Sequence, residues 1–467
     1  MKRALALVLC GLLGAPCWGQ AVNAAEPLPD LNHWQITHTD IAPWLSHFAK
    51  DPRVKVAQIG ESFEGRSISA LQLGSGPTRV MMWTQMHGDE PTATAAVMDL
   101  LAQLLAPEHA ERWAEISEKI SLRIIPMLNP DGAEEFRRHN AQSIDINRDA
   151  RALQTPEGRL LMAQAKMFKP HIGFNLHDQD RRLGVAGRPA TISVLAPAFD
   201  EAKSASPSRD KAMQLIATML QALPENLQQQ VGRYDDTYAV RAFGDTFSAM
   251  NIATVLIESG GNYQDPNRQT ARAANVLMLQ AALDAIVDGS YQSVPVARYW
   301  AIPENEDNAL FDVLLRDVQV AGKHAYRVDI GVQQSIYNPG AGFVGEVGDL
   351  KPFGGYQVID ASGLTYAASK PYPLKAGTTL TLTDARYLRL LAEGYSHFLG
   401  EAEQLEIATS LPVLRLSSAP EYVTARPARR TPAFFLLTRE GRNAAAVLGG
   451  QWVPLDGAEP KVSHAKP

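Results

Sequence analysis

Cysteine is nearly absent from this sequence of 467 residues, which has only Cys10 and Cys17. Both lie in an N-terminal segment laid out like a secretory signal peptide, in which Lys2 and Arg3 precede the apolar run ALALVLCGLLGA. If residues 1–25 are removed on export, the remaining chain has no thiol, which excludes disulfides and cysteine nucleophiles. We therefore predict a periplasmic or secreted protein. A retained N-terminal anchor is the alternative.

Long apolar runs and an excess of basic charge are also missing. No run beyond the N-terminal segment approaches the roughly 20 residues that a membrane-spanning helix needs. The formal net charge is −6, without the basic patch that is typical of nucleic-acid binding. The absence of a G-x-S-x-G elbow disfavours a serine hydrolase. We expect neither membrane insertion nor a nucleic-acid partner, and the sequence leaves the oligomeric state open.

The pattern of predicted secondary structure changes near residue 290, and the two parts predict two kinds of domain. Up to about residue 290, short strand patterns such as TRVMMWTQM and IATVLIESGG alternate with helix patterns. This alternation predicts an α/β catalytic domain at residues 26–293, with a mixed, centrally parallel sheet flanked by helices. Frequent turn signals then predict a β-rich accessory domain at residues 294–400. A partly loose C-terminal extension is expected at residues 401–467.

Two segments of the predicted β-rich part allow more specific predictions. Tyr387–Leu405 is predicted to form one helix. Short segments from Asn308 to Thr365 resemble the small β-sandwich that flanks amidohydrolase barrels, and that resemblance implies an accessory domain without a metal centre of its own.

His87 and Glu90 form an H-x-x-E pair at the point where a predicted strand gives way to a helix. A loop at the carboxyl end of a strand faces the crevice where open α/β sheets bind ligands. His177 ends a second buried-strand pattern, FNLHD, although a lone histidine at a strand end is more often structural. Two imidazoles and one carboxylate are a ligand set of catalytic zinc. The pattern therefore predicts a site for one Zn²⁺ ion.

Glu258 ends a third strand pattern, ATVLIESGG. It is either a buried acid paired with a cation or a general base beside the metal. Asn147 and Arg148 lie in a polar loop, and together they suit a bound carboxylate. Arg138 or Arg137 could stabilise a developing oxyanion, with a surface salt bridge as the alternative for either arginine.

Five stretches give the chain a specific resemblance to the zinc carboxypeptidase family of the carboxypeptidase A type. In order they are IGESFEGRSISALQLG, HGDE, NPDG with SIDINRD, FNLHDQ and TVLIESGG, and they cover about residues 55–290. The resemblance implies a zinc carboxypeptidase-like fold in which His87, Glu90 and His177 bind zinc. It also implies that Glu258 is the general base and acid.

The resemblance implies roles for the substrate-binding residues as well. Asn147 and Arg148 would hold the C-terminal carboxylate of the substrate, and Arg138 would polarise the scissile carbonyl, with Arg137 as the fallback. The mobile tyrosine of the family is best matched by Tyr238, and the less favoured substitute is Tyr234.

Three departures from the family pattern leave the substrate class open. Gly88 and Asp89 stand where the family has a helper arginine, and HGDE is closer to the branch that resembles murein peptide amidases. The serine and tyrosine that commonly follow the third ligand are replaced by DQD. Asp245 falls near the specificity pocket, where it would favour a basic or amine-bearing residue; it could equally be a helix N-cap.

The leading hypothesis is an exported zinc-dependent metallocarboxypeptidase that hydrolyses the C-terminal peptide bond of peptides. The alternative is a murein peptide amidase-like hydrolase of γ-linked cell-wall peptides, with a muropeptide as substrate. A non-catalytic binding protein of the same fold is disfavoured, because the base and all three ligands are present.

Overall fold

The computed structural model describes residues 28–335, 340–418 and 426–457, and the backbone of residues 462–463. The predicted signal peptide lies outside the described residues, as does part of the predicted C-terminal extension. No described helix is both long enough and apolar enough to cross a membrane.

The first region is built around one large sheet. Its strands, with the short hairpin β6–β7, are β1 (Val54–Glu61), β2 (Ser67–Leu73), β3 (Thr78–Trp83), β4 (Ile120–Ile125), β5 (Ile172–Asp178), β6 (Gly184–Val185), β7 (Arg188–Pro189), β8 (Ile192–Leu195), β9 (Val231–Arg233) and β10 (Ala253–Ser259). The eight strands of the sheet follow the order β1-β2-β4-β3-β5-β10-β8-β9. The central strands β4, β3, β5 and β10 run parallel, whereas β1, β2 and β8 introduce antiparallel pairs. The prediction of a mixed, centrally parallel sheet is confirmed.

Helices cover both faces of this sheet. They are α1 (His38–Phe48), α2 (Thr92–Leu104), α3 (Ala110–Lys119), α4 (Pro130–Glu134), α5 (Pro156–Phe168), α6 (Pro207–Met219), α7 (Glu225–Gln228), α8 (Phe243–Ala249), α9 (Gln269–Asp288) and α10 (Ala297–Trp300). Helices α2, α6 and α9 share one core with alternate residues of β3, β5 and β10. On the other face, Phe243 and Phe247 of α8 pack with Trp83. Strand β5 is buried along its whole length because helices cover both of its faces.

The second region is β-rich, as predicted. It contains β11 (Leu310–Val320), β12 (Tyr326–Gln333), β13 (Phe343–Gly348), β14 (Gly354–Asp360), β15 (Thr365–Ala367), β16 (Lys370–Pro373), β17 (Leu380–Thr383), helix α11 (Asp384–Ala392), β18 (Tyr395–Leu399), β19 (Leu405–Ala408), β20 (Leu414–Leu416), β21 (Phe434–Arg439), β22 (Arg442–Leu448), β23 (Gln451–Pro454) and β24 (Val462–Ser463). The main sheet runs β13-β12-β11-β15-β21-β22-β23, and β14 pairs with both β11 and β24. Strands from both sides of residue 400 therefore share one sheet.

The predicted helix at Tyr387–Leu405 is wrong in its second half. Helix α11 ends at Ala392, and Gly394 follows with a φ of 101°, a conformation that favours glycine. The chain then continues as strand β18, whose Phe398 is fully buried against α11 and β21. Tertiary packing of this apolar segment outweighs the helical spacing of its side chains.

Candidate active site

His87, Glu90 and His177 lie together, although the two histidines are far apart in sequence. Glu90 Oε1 is 2.7 Å from His87 Nδ1, and Glu90 Oε2 is 2.7 Å from His177 Nδ1. The two Nδ1 atoms are 3.2 Å apart. All three side chains are buried, and their donor atoms lie within 4.8 Å of one another. Two imidazole nitrogens and a carboxylate at this spacing fit a zinc ion with a position left for water or substrate.

The loop after β3 brings the first two of these residues together. Gln85 has a φ of 46°, which turns the chain out of the strand. The Glu90 amide donates to the His87 carbonyl at 3.2 Å, and the Gln85 side chain donates to the Gly88 carbonyl at 3.0 Å. Because the loop is tied at both points, His87 and Glu90 project to the same side.

Gly88 is packed too closely for any side chain. A Cβ at this position would lie 1.9 Å from the carbonyl carbon of Gly132, in the NPDG segment. The backbone of the ligand loop therefore rests directly on the start of the next loop.

Asp145 links the ligand cluster to Arg138. One Asp145 oxygen is 3.2 Å from His87 Nε2, and the other accepts a hydrogen bond from Arg138 Nε at 3.0 Å. Arg138 Nη1 also approaches Glu90 Oε1 at 3.3 Å. Burial would raise the pKa of Asp145, but His87 and Arg138 hold it well below its usual value. Arg137 instead pairs with Glu135 at 3.0 Å, so Arg138 is the arginine that faces the cluster.

Glu258 and His177 are register partners on the neighbouring parallel strands β10 and β5. Paired residues point to the same face of a sheet, which places the Glu258 carboxylate beside the ligand cluster. Burial raises the pKa of Glu258 well above its usual value, and the negative charges of Glu90 and Asp178 raise it further. An acid with this environment, next to a candidate metal site, is suited to proton transfer.

Asp178 follows His177 and connects the site to neighbouring elements through its carboxylate. Its Oδ2 accepts hydrogen bonds from the Thr92 hydroxyl at 2.6 Å and the Thr92 amide at 3.3 Å. Arg268 Nη1 lies 3.6 Å from the same oxygen and donates to the Ser259 carbonyl at 2.5 Å. These contacts tie the ends of β5 and β10 to the first turn of α2.

Asn147 and Arg148 lie on a short 3₁₀ helix at Ile146–Arg148, and Asn147 contacts the first residue of α8. The Asn147 side-chain oxygen accepts the Phe243 amide hydrogen at 2.9 Å, and Arg148 Nη1 donates to the Asn147 carbonyl at 2.8 Å. Arg148 is exposed, so its guanidinium is accessible to a substrate carboxylate.

Asp245 is buried in the first turn of α8. Its Oδ1 accepts the Ala239 amide hydrogen at 3.0 Å, and Ala242 rather than Asp245 is the N-cap residue. Burial raises the pKa of Asp245 to about 6, despite the opposing charge of Arg148. The structure thus places Asp245 beside the residues expected to bind the substrate carboxylate.

The two candidate tyrosines occupy different environments. Tyr238 is half-buried in the loop before α8. Tyr234 packs against Leu183 and Val185, and burial raises its pKa, with further contributions from the carboxylates of Glu258 and Glu90.

The stretch IGESFEGRSISALQLG has a structural role. Asp131 of the NPDG segment accepts hydrogen bonds from the Ser62 hydroxyl at 2.6 Å and the Glu64 amide at 3.0 Å, and Arg66 Nη1 donates to it at 2.7 Å. The turn after β1 is thereby fastened to the segment on which Gly88 rests.

Sequence reasoning assigned no role to Asp145, Asp178 or Arg268. Asp145 could have been found from SIDINRD, since it stands two residues before Asn147, but nothing in the sequence pairs it with His87. Arg268 lies ten residues after Glu258 in a turn, and only the fold brings it to Asp178.

Solved structures of metallo-carboxypeptidases align with part of the chain. The enzyme from Burkholderia cenocepacia is 18% identical, with 55% of this chain and 70% of that chain covered and a TM-score of 0.45. The enzyme from Pseudomonas aeruginosa is also 18% identical, with coverage of 54% and 70% and a TM-score of 0.44.

Sequence comparison identifies carboxypeptidases that are similar to part of the chain. Carboxypeptidase 2 of Trichophyton rubrum is 30% identical over 129 residues, or 25% of this chain and 23% of that protein. Carboxypeptidase D of Drosophila melanogaster is 29% identical over 162 residues, or 29% of this chain and 11% of that protein. The chain thus spans less than a quarter of the length of these relatives. Residues 41–162 match the model of the zinc carboxypeptidase (peptidase M14) family, so this segment of the chain is similar to that family.

Proposed function

We propose that the protein is an exported zinc-dependent metallocarboxypeptidase that hydrolyses the C-terminal peptide bond of peptides. The observation that carries the proposal is the convergence of His87, Glu90 and His177 beside Glu258. Three ligands alone would suit a structural or a catalytic ion, but a carboxylate on the adjoining strand adds the base that hydrolysis requires.

Each residue would have a distinct task. His87, Glu90 and His177 would hold zinc, which when bound acts as a Lewis acid and favours ionisation of water. Glu258 would accept the proton of the attacking water and deliver it to the leaving amine. Arg138 would donate hydrogen bonds to the carbonyl oxygen as negative charge develops there. To do so, Arg138 Nη1 would move away from Glu90 Oε1, which is 3.3 Å away, while Arg138 Nε would keep its hydrogen bond to Asp145.

The substrate C-terminus would bind near the start of α8. Arg148 and the Asn147 amide would hold the terminal carboxylate. Asp245 would face the side chain of the C-terminal residue, where its charge would favour a basic group or an amine. Tyr238 would close over the bound end, with Tyr234 as the alternative.

A hydrolase of γ-linked cell-wall peptides is the second candidate. The HGDE form of the ligand loop, which lacks the family's helper arginine, supports it. Export is part of both proposals and rests on the leader-like pattern at residues 1–25. The domain limits are also proposed: a catalytic domain at residues 26–293, with an accessory domain that continues past residue 400 because β15 pairs with β21.

The test is a panel of blocked dipeptides and muropeptides assayed with and without a chelator. We expect release of the C-terminal residue, loss of activity with chelator and recovery with zinc. Glu258→Gln should lower kcat by at least about 10²-fold while zinc content is unchanged. Glu118→Gln, at an exposed position of α3, is the matched control. Full activity of Glu258→Gln, or an unaffected chelated enzyme, would refute the mechanism, and cleavage of muropeptides alone would select the second candidate.

A further inference from the structure

A cavity of about 290 Å³ lies where the two regions of the chain meet. Its lining from the first region comprises Trp34, Arg181, Gly261, Asn262, Asp265, Pro266 and Asn267, and the second region contributes Gln334 and Ser335. This volume is at the lower end of the range for ligand pockets. The cavity contains none of the proposed zinc ligands, so it is separate from the metal site.

The walls of the cavity continue directly from the two strands that carry the active site. Arg181 follows His177 by four residues, and Gly261 follows Glu258 by three. The Gln179 amide donates to the Ser259 carbonyl at 2.9 Å, which keeps the two segments adjacent beyond the strands. Along the chain, the cavity therefore begins within three or four residues of His177 and Glu258.

The buried carboxylate of Asp312, in the second region, contacts one cavity-lining residue from each region. Asp312 Oδ1 lies 3.2 Å from Arg181 Nη1, and Asp312 Oδ2 accepts the Gln334 amide hydrogen at 2.6 Å. The Arg181 guanidinium also lies 4.0 Å from the centre of the Tyr356 ring. The cavity is therefore fixed by contacts between the regions before any ligand binds.

The approach of the two regions is close enough to require glycine at one point. A Cβ on Gly261 would lie 2.2 Å from the Tyr356 hydroxyl, which itself donates to the Arg181 carbonyl at 2.8 Å. The backbone of the first region also pairs with the segment that leads into the second, since Gly184 and Glu306 exchange hydrogen bonds of 3.0 and 2.8 Å.

We propose that the second region completes a subsite for the acyl side of the substrate, which binds the residues preceding the scissile bond. The proposal rests on the proposed peptidase function and assigns the β-rich region a direct part in it. Gln334 and Ser335 supply the second region's part of the cavity wall, and Asp312 holds the backbone of Gln334 in place.

The lining suits an uncharged peptide segment. The charge of Arg181 is balanced by Asp312, and the Asp265 oxygens accept the Gln269 and Thr270 amide hydrogens at 2.8 and 2.7 Å. The remaining lining side chains are three carboxamides, one hydroxyl, one proline ring and one indole. Carboxamides both donate and accept hydrogen bonds, as peptide groups require, and the indole of Trp34 offers an apolar contact.

The test compares blocked peptides of two and five residues that share the same C-terminal dipeptide. We expect wild-type kcat/KM to be about tenfold higher for the longer peptide, as a few added hydrogen bonds would give. Gln334→Ala, and Gln334→Trp as a variant that fills the cavity, should reduce this ratio toward one. Gln451→Ala, at an exposed position of β23 in the same sheet, should retain the ratio.

Three results would overturn the proposal: equal kcat/KM for the two lengths, an unchanged ratio in both Gln334 variants, or an equal loss of the ratio in Gln451→Ala. If neither peptide is cleaved, the proposed peptidase function fails instead. Calorimetry of both peptides with the wild type and with Gln334→Trp then tests independently whether the cavity binds peptide. Tighter binding of the longer peptide, lost in Gln334→Trp, supports the subsite, and equal binding refutes it.

Discussion

Asp145 fixes the ring of His87 from the side opposite to the candidate metal site. Its Oδ1 lies 3.2 Å from His87 Nε2, while Nδ1 faces Glu90 at 2.7 Å. A proton held on Nε2 by the carboxylate leaves the Nδ1 lone pair directed at the ligand cluster. Because the second Asp145 oxygen is bound to Arg138, one carboxylate positions both a metal ligand and the proposed oxyanion-stabilising group.

Asp145→Asn should weaken zinc binding about 10- to 100-fold, the usual cost of losing a carboxylate behind a ligating histidine. The substituted amide can still accept one hydrogen bond, but its NH₂ group cannot accept from Arg138. Zinc affinity is measured by competition with a chromogenic chelator. Asp349→Asn, at an exposed position, is the control. Wild-type zinc affinity in Asp145→Asn would contradict this role.

Zinc should stabilise the folded protein, because the three ligands are assembled only in that state. At a free zinc concentration of 100 times Kd, the expected gain is about 2.7 kcal/mol in the free energy of unfolding, seen as a higher Tm. His177→Ala should abolish most of the zinc-dependent shift, since it removes one of three ligands. His324→Ala, at an exposed position in the second region, should keep it. An undiminished shift in His177→Ala would place the zinc elsewhere.

The cluster of candidate ligands could be predicted from sequence because His177 ends one apolar strand pattern, and His87 and Glu90 follow another. Strand ends of a parallel sheet meet at one edge, so His177 and Glu258 had to lie near the loop of His87. The order of β8 and β9 could not be predicted, since β8 pairs antiparallel with β10 through contacts between segments distant in sequence.

Contacts that depend on tertiary packing were not readable from the sequence. Arg268 reaches Asp178 only because the turn after β10 folds back over the sheet. Likewise, Gly394 separates helix α11 from strand β18, whose burial overrides the local helical spacing. Asp312 carries no motif, and its link between Arg181 and Gln334 follows from the meeting of two regions.

Gly88→Ala should destabilise the protein, because its Cβ would lie 1.9 Å from a backbone atom of Gly132, which no side-chain rotation relieves. We expect a loss of about 1–3 kcal/mol in the free energy of unfolding, typical of overpacking, together with weaker zinc binding as the ligand loop shifts. Urea denaturation of the zinc-free protein measures the first effect. Gly363→Ala, where no atom lies within 4 Å of the added Cβ, should change stability by less than about 0.5 kcal/mol. Equal behaviour of the two variants would show that the Gly88 contact is unimportant.

The raised pKa of Asp245 makes stability depend on pH in a defined direction. Its pKa is about 6 in the folded protein, where burial disfavours the charged form, against about 3.9 in an unfolded chain. Between these values the folded state retains a proton that the unfolded state has lost, so the free energy of unfolding falls as pH rises from about 4 to 6. By about pH 6 the free energy of unfolding has lost about 2–3 kcal/mol from this group.

Asp245→Asn should remove this dependence, because an amide keeps the acceptor for the Ala239 hydrogen bond without carrying a charge. The difference in unfolding free energy between variant and wild type should be small at pH 4 and grow to about 2 kcal/mol in favour of the variant by pH 7. Urea denaturation at half-unit steps of pH measures it, with exposed Asp349→Asn as the control. A difference that is constant across the range, or that shrinks as pH rises, would show that Asp245 is ionised in the folded protein throughout. In that case a cation, with Arg148 the nearest candidate, would have to balance its charge more fully than burial opposes it.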